Sequence, residues 1–136
     1  MKSLAALVSI ALAMAGGAAA GQTLIVHYSE RAGVHYTTPQ GQLAGDAAKP
    51  VTEALAAAGI AYEIRQTPAK QQLVLLKDNR EPACMLSWVE LPGRDDKGKF
   101  SDVIYRDTSE RRLWCSKMVP DDVIERFNAA LARQPK

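Results

Sequence analysis

Hydrophobic positions along the chain change period several times, and each change marks an element. Residues 23–28, TLIVHY, form a short apolar run rich in β-branched and aromatic residues. Such a run reads as a strand covered on both faces. A polar stretch, residues 29–45, follows as a loop. Between Ala47 and Ala58, Val51, Leu55 and Ala58 recur at i, i+4 and i+7, one apolar stripe of a helix. Gly59 then suits a left-handed cap, and the pattern I-x-Y-x-I resumes as a strand over 59–65. Strand, crossover helix and strand make a βαβ unit, whose sheet needs helices on both faces. Pro50 sits awkwardly in this reading: either the helix begins near it or a kinked turn precedes it.

The alternation continues. Thr67 and Pro68 read as the cap and first residue of a helix over 68–79, with Leu73, Leu76 and Val74 toward the sheet. Residues 83–89, ACMLSWV, read as a third strand. Residues 91–99, LPGRDDKGK, read as a loop. Residues 100–105 and 112–117 read as two more short strands around a turn at 106–110. Pro120, with Asp121 and Asp122 in the first turn, opens a last helix, and Val123, Phe127 and Ala130 or Leu131 form its stripe.

The N-terminus stands apart from this pattern. Lys2, the apolar run Leu4–Met14 and Ala18-Ala19-Ala20 match a secretory signal peptide cleaved before Gly21. The run is short for a membrane-spanning helix, which needs ~20 residues. The expected division is therefore a signal peptide over 1–20 and one domain over 21–136, exported to the periplasm with no membrane span after cleavage. That compartment is oxidising, and the chain has 2 cysteines. A disulfide between Cys84 and Cys115 would close a loop of about 30 residues and add ~3 kcal/mol. Two separately buried thiols are the other reading.

A net charge of +2 with no run of like charge lacks the clustered basic face of a nucleic-acid binder. Catalytic and cofactor motifs are missing: there is no C-x-x-C, H-E-x-x-H, P-loop or G-x-G-x-x-G. Ser29, His35 and Asp46 could be assembled on paper as a nucleophile set, but no G-x-S-x-G elbow surrounds Ser29. His27, inside a strand, reads as a core residue. The expectation is a non-enzyme without cofactor or metal.

Three stretches, in order, carry a resemblance: L-I-V-H-Y-S-E with G-Q-L-A-G and E-A-L-A-A-A-G-I-A-Y-E-I; residues 84–107, CMLSWVELPGRDDKGKFSDVIYRD; and residues 116–131, SKMVPDDVIERFNAAL. Together they resemble the type II periplasmic solute-binding proteins, family 3, which include amino-acid-binding components of ABC importers. Members of that family enclose ligand between two lobes. Here Tyr105 runs almost directly into Leu113-Trp114-Cys115, so the second lobe is missing. The resemblance thus implies a fold in the α/β class: a single three-layer lobe with a mostly parallel sheet of about five strands and helices on both faces. It also implies a half-cleft at the carboxyl ends of the strands, the usual crevice of open α/β sheets.

Arg94 keeps the family's spacing to Phe100-Ser101. The resemblance implies that it grips a ligand carboxylate, a task suited to a planar guanidinium; otherwise it is a solvated loop arginine. Ser87 and Trp88 end the third strand near that rim, as a donor and a stacking wall, although Trp88 also suits the core. Tyr28 and Glu30 end the first strand at the same edge, with Glu30 placed to hold an ammonium or simply solvated. Tyr36 takes the place of the family's loop aromatic. The ligand implied is an amino acid or organic acid, the further partner an ABC importer or sensor. The competing reading is a non-catalytic protein-interaction module, including a homodimer that rebuilds a two-lobed cleft.

Overall fold

The computed structural model describes residues 22–135, so the expected signal peptide lies outside the described residues. Five strands form the main sheet: β1 (Leu24–Tyr28), β4 (Tyr62–Gln66), β5 (Ala83–Val89), β6 (Lys99–Arg106) and β7 (Glu110–Cys115). Their order is β4-β1-β5-β7-β6. β1 runs parallel to β4 and β5, while β7 is antiparallel to β5 and β6. Four of the five strands therefore share a direction. A second, two-stranded sheet, β2 (Tyr36–Thr37) with β3 (Leu43–Ala44), lies within the stretch read as loop; two residues per strand leave no periodicity to read.

β1 is buried along its whole length, which is why it is apolar without alternation. One sheet face receives α1 (Ala48–Ala57) and α3 (Asp121–Ala132), packing Val51, Leu55 and Phe127 on Leu24, Val26, Leu86 and Leu113. The other face receives α2 (Ala69–Asp78), with Leu76 on Ile25, Met85 and Trp114. The result is the expected three-layer α/β lobe.

Local chemistry explains the boundaries. Pro50 is the third residue of α1, where its missing N–H has no intrahelical partner to lose. α1 ends in a Schellman arrangement: Gly59 has φ +70°, Gly59 N–H donates to Ala56 O, and Ile60 N–H donates to Leu55 O at 2.9 Å. Thr67 does not cap α2. Its hydroxyl pairs with His27 Nδ1 at 2.8 Å, and Pro68 takes the cap position.

The stripe of α2 also differs from expectation. Leu73 and Val74 are exposed, and Gln72 is buried beside Leu76. Gln72 can enter because both ends of its amide are satisfied: Nε2 donates to Thr67 O, and Oε1 accepts from Trp88 Nε1 at 2.7 Å. Cys84 and Cys115 face each other across β5 and β7 and are joined by a disulfide. Among the described residues, no helix is long and apolar enough to cross a membrane.

Candidate functional site

β1 and β5 end side by side, and their carboxyl ends open into a cleft of about 460 Å³. That volume lies within the range of small-ligand sites. Ser29 directly follows β1, β5 supplies Leu86–Val89, and the loop after β5 supplies Leu91 and Arg94. Arg31 and His35 come from the turn after β1, Ser109 and Arg111 from the β6–β7 hairpin.

The cleft floor depends on a break in β5. Pairing with β7 shifts register between Met85 and Trp88, and Ser87 adopts φ +69°. Two residues thus separate Met85 from Trp88, yet both lie in the same layer, packed with Trp114. A regular strand would put them on opposite faces; the bulge turns Trp88 back. A serine in the left-handed region is uncommon, and strain of this kind concentrates at functional sites. Ser87 is 7% exposed and its Oγ has no hydrogen-bond partner. A buried hydroxyl left unpaired costs about 1–3 kcal/mol, so the strand end carries an uncompensated polar group beside the cleft.

Two arginines brace the broken strand. Arg94 Nη1 donates to Val89 O at 2.6 Å, and its guanidinium lies over the rings of Trp88 and Trp114, 5.1 and 5.5 Å from their centroids. Arg111 Nη1 donates to Ser87 O at 3.2 Å, and its Nε meets Asp107 Oδ2 at 3.1 Å. Asp107 accepts from Ser109 N–H, which holds its carboxyl below the usual range, helped by the charges of Arg111 and Arg31. Arg31 Nη2 stands 4.0 Å from Asp107 Oδ2.

His35 is buried with both ring nitrogens unpartnered. Burial pushes its pKa down, so the neutral ring is favoured. No hydrogen bond joins its ring to the Ser29 hydroxyl or to the exposed Asp46, so the three do not form a nucleophile set.

Of the residues singled out in the sequence, Ser87, Trp88 and Arg94 come together on the cleft wall. Tyr28, Glu30 and Tyr36 are not among its lining. Tyr28 is 1% exposed and sits edge-on to His35, with ring centroids 6.1 Å apart. The full burial of β1 takes its ring into the core. Glu30 accepts from Gln66 Nε2 at 3.3 Å on the exposed strand end. Tyr36 is half-buried in β2. Sequence reasoning missed Arg31, His35 and Arg111 as cleft residues. Only the paired Arg111-Arg112 at a strand start, opposite the strand that carries Ser87, hinted at one of them.

Solved structures share this architecture. The chain superposes on the arginine-bound form of domain 1 from TmArgBP with a TM-score of 0.68 at 14% identity, over 90% of this chain and 100% of that chain. The fold is that of one solute-binding lobe. Longer chains match over part of their length. An ancestral arginine-binding protein bound to arginine matches with a TM-score of 0.50 at 14% identity, over 61% of this chain and 37% of that one. The second substrate-binding domain of a protein assigned as an amino-acid ABC transporter in Streptococcus pneumoniae gives 0.50 and 14%, over 62% and 38%. The matched part covers over a third of those longer chains. No protein-family model matches the sequence, and no curated protein matches it.

Proposed function

We propose that this lobe is a non-catalytic, extracytoplasmic solute-binding module that holds an amino acid or similar small carboxylate in its open cleft. The observation that carries the reading is the unpartnered Ser87 hydroxyl on a strained strand end, between the guanidinium groups of Arg94 and Arg111. Donors of both kinds suit a carboxylate. Support for a single lobe acting alone comes from the arginine-bound form of domain 1 from TmArgBP, which is also one lobe. Arginine itself is a poor candidate here: Arg31, Arg94 and Arg111 all line the cleft, and the neighbouring carboxylate, Asp107, pairs only with Arg31 and Arg111, so a cationic side chain would be repelled. The disulfide and the N-terminal sequence support export. An importer or sensor that receives the ligand follows from the family resemblance.

An open lobe covers less ligand surface than a closed cleft, so Kd is expected on the order of micromolar to millimolar. Trp88 lines the cleft and contacts Arg94, which makes its fluorescence the natural probe. Titration with amino acids and organic acids is expected to shift the emission for at least one compound. Arg94→Ala is expected to weaken that compound at least about tenfold, the loss of one charge-assisted contact. Flat titrations by both fluorescence and calorimetry across the whole panel would refute the function.

A further inference from the structure

Among the described residues, three guanidinium groups, of Arg31, Arg94 and Arg111, line the cleft, and no carboxylate does. Ser87 Oγ is buried without a partner. Arg94 and Arg111 each keep N–H groups beyond those bonded to protein. The two carbonyls at the strand end each already face a guanidinium. Val89 O takes Arg94 and Ser87 O takes Arg111. These are the carbonyls at the end of β5, where an ammonium group entering the cleft would look for partners. Arg31 N–H occupies His35 O at 2.9 Å. The carboxylate beside the cleft arginines, Asp107, already accepts from Arg111 Nε and Ser109 N–H and stands near Arg31. Glu30, read from the sequence as a partner for an ammonium, is outside the cleft lining and accepts from Gln66 Nε2.

We infer that the ligand of this cleft is a carboxylic acid that lacks an ammonium group and carries an apolar body. This rests on the reading of the cleft as a small-carboxylate site and narrows its ligand class. An α-ammonium group would bring a positive charge to a place whose lining already holds three cations, with the neighbouring Asp107 carboxylate paired to two of them. Left unpaired in a cleft, such a group is costly. The carboxylate meets Ser87 and the guanidinium groups, while Leu86, Trp88, Val89 and Leu91 give the remaining carbon skeleton an apolar wall.

Pairs of compounds with one skeleton test this directly: leucine against 4-methylpentanoate, and phenylalanine against 3-phenylpropanoate, by calorimetry and tryptophan fluorescence. The deaminated member of each pair is expected to bind at least about tenfold more tightly. Arg111→Gln frees Ser87 O and removes one cation, so within that variant the preference is expected to shrink to about threefold or less. A ratio taken within one variant does not move with a general loss of stability. Amino acids binding as well as their deaminated partners would overturn the inference and leave the carboxylate-site reading standing. Inorganic phosphate competing as well as the acids would overturn it too. No binding by either member of any pair would bring down both readings.

Discussion

Breaking the Cys84–Cys115 disulfide is the sharpest stability experiment the lobe offers. The two residues are direct register partners of β5 and β7 and are 31 residues apart in sequence. The sheet already holds them together, so the bond acts mainly on the unfolded chain. Loop closure over 31 residues removes about 12 cal/mol/K of chain entropy, which is about 3.7 kcal/mol at 25 °C. Both residues are 1% exposed and border a small apolar void that Leu113 and Phe127 also line. Replacing both by Ala therefore adds a cavity penalty of about 1–2 kcal/mol. Urea unfolding followed by circular dichroism is expected to show the oxidised protein most stable. The reduced protein should be lower by about 3–4 kcal/mol, and the double Ala variant lower by about 5. For a lobe of this size the reduced form should melt on the order of 15 °C earlier. The slope of stability against urea should also rise on reduction, because the unlinked chain expands further. Reduction that costs under about 1 kcal/mol, confirmed by mass, would refute the loop-entropy argument.

Two further predictions concern charge and close packing. The chain has 2 histidines, and burial lowers the pKa of both, against an opposing pull from Glu81 on His27. A depressed histidine favours the neutral folded form, so its contribution is complete above the unfolded value of about 6.5 and is lost as pH falls below it. Proton NMR should show both rings titrating below about 6.5; a midpoint above that value for either would contradict the burial account. Gly98 has no room for a methyl: a Cβ there would lie 2.5 Å from Cys115 O and 2.8 Å from Trp114 Nε1. Gly98→Ala should cost more than about 2 kcal/mol, whereas Gly59→Ala, with open space around it, should cost only about 1 kcal/mol for its left-handed backbone. Equal midpoints for the two variants in urea would disprove the steric reading.

Much of the frame could be read from residues alone. The β1–α1–β4 unit declared itself because a fully buried strand must be apolar and a Schellman end wants glycine. The inward face of α2 did not. Gln72 looks like a solvent residue, and only its two partners, Thr67 O and Trp88 Nε1, reveal why it is inside. With Gln72 taking a core position, Leu73 and Val74 turn outward. Thr67 looked like a cap because nothing local shows that His27, forty positions earlier, claims its hydroxyl. The cleft was half visible. Arg94, Ser87 and Trp88 belong to one loop and strand end, but Arg31, His35 and Arg111 arrive through turns whose geometry no periodicity encodes. The bulge at Ser87 is equally silent: ACMLSWV reads as an unbroken strand.

The place of β7 sets an order on assembly. It is the final strand in sequence, yet it occupies an inner slot, and β6 touches no other strand. As the polypeptide grows from its first residue, everything up to Arg106 leaves one half-built edge on β5 and one homeless segment. Arrival of residues 110–115 closes the gap, aligns the cysteines and completes the rim that carries Arg111. A covalent crosslink here is thus a record of strand insertion: an oxidised 84–115 pair certifies that the last strand has docked.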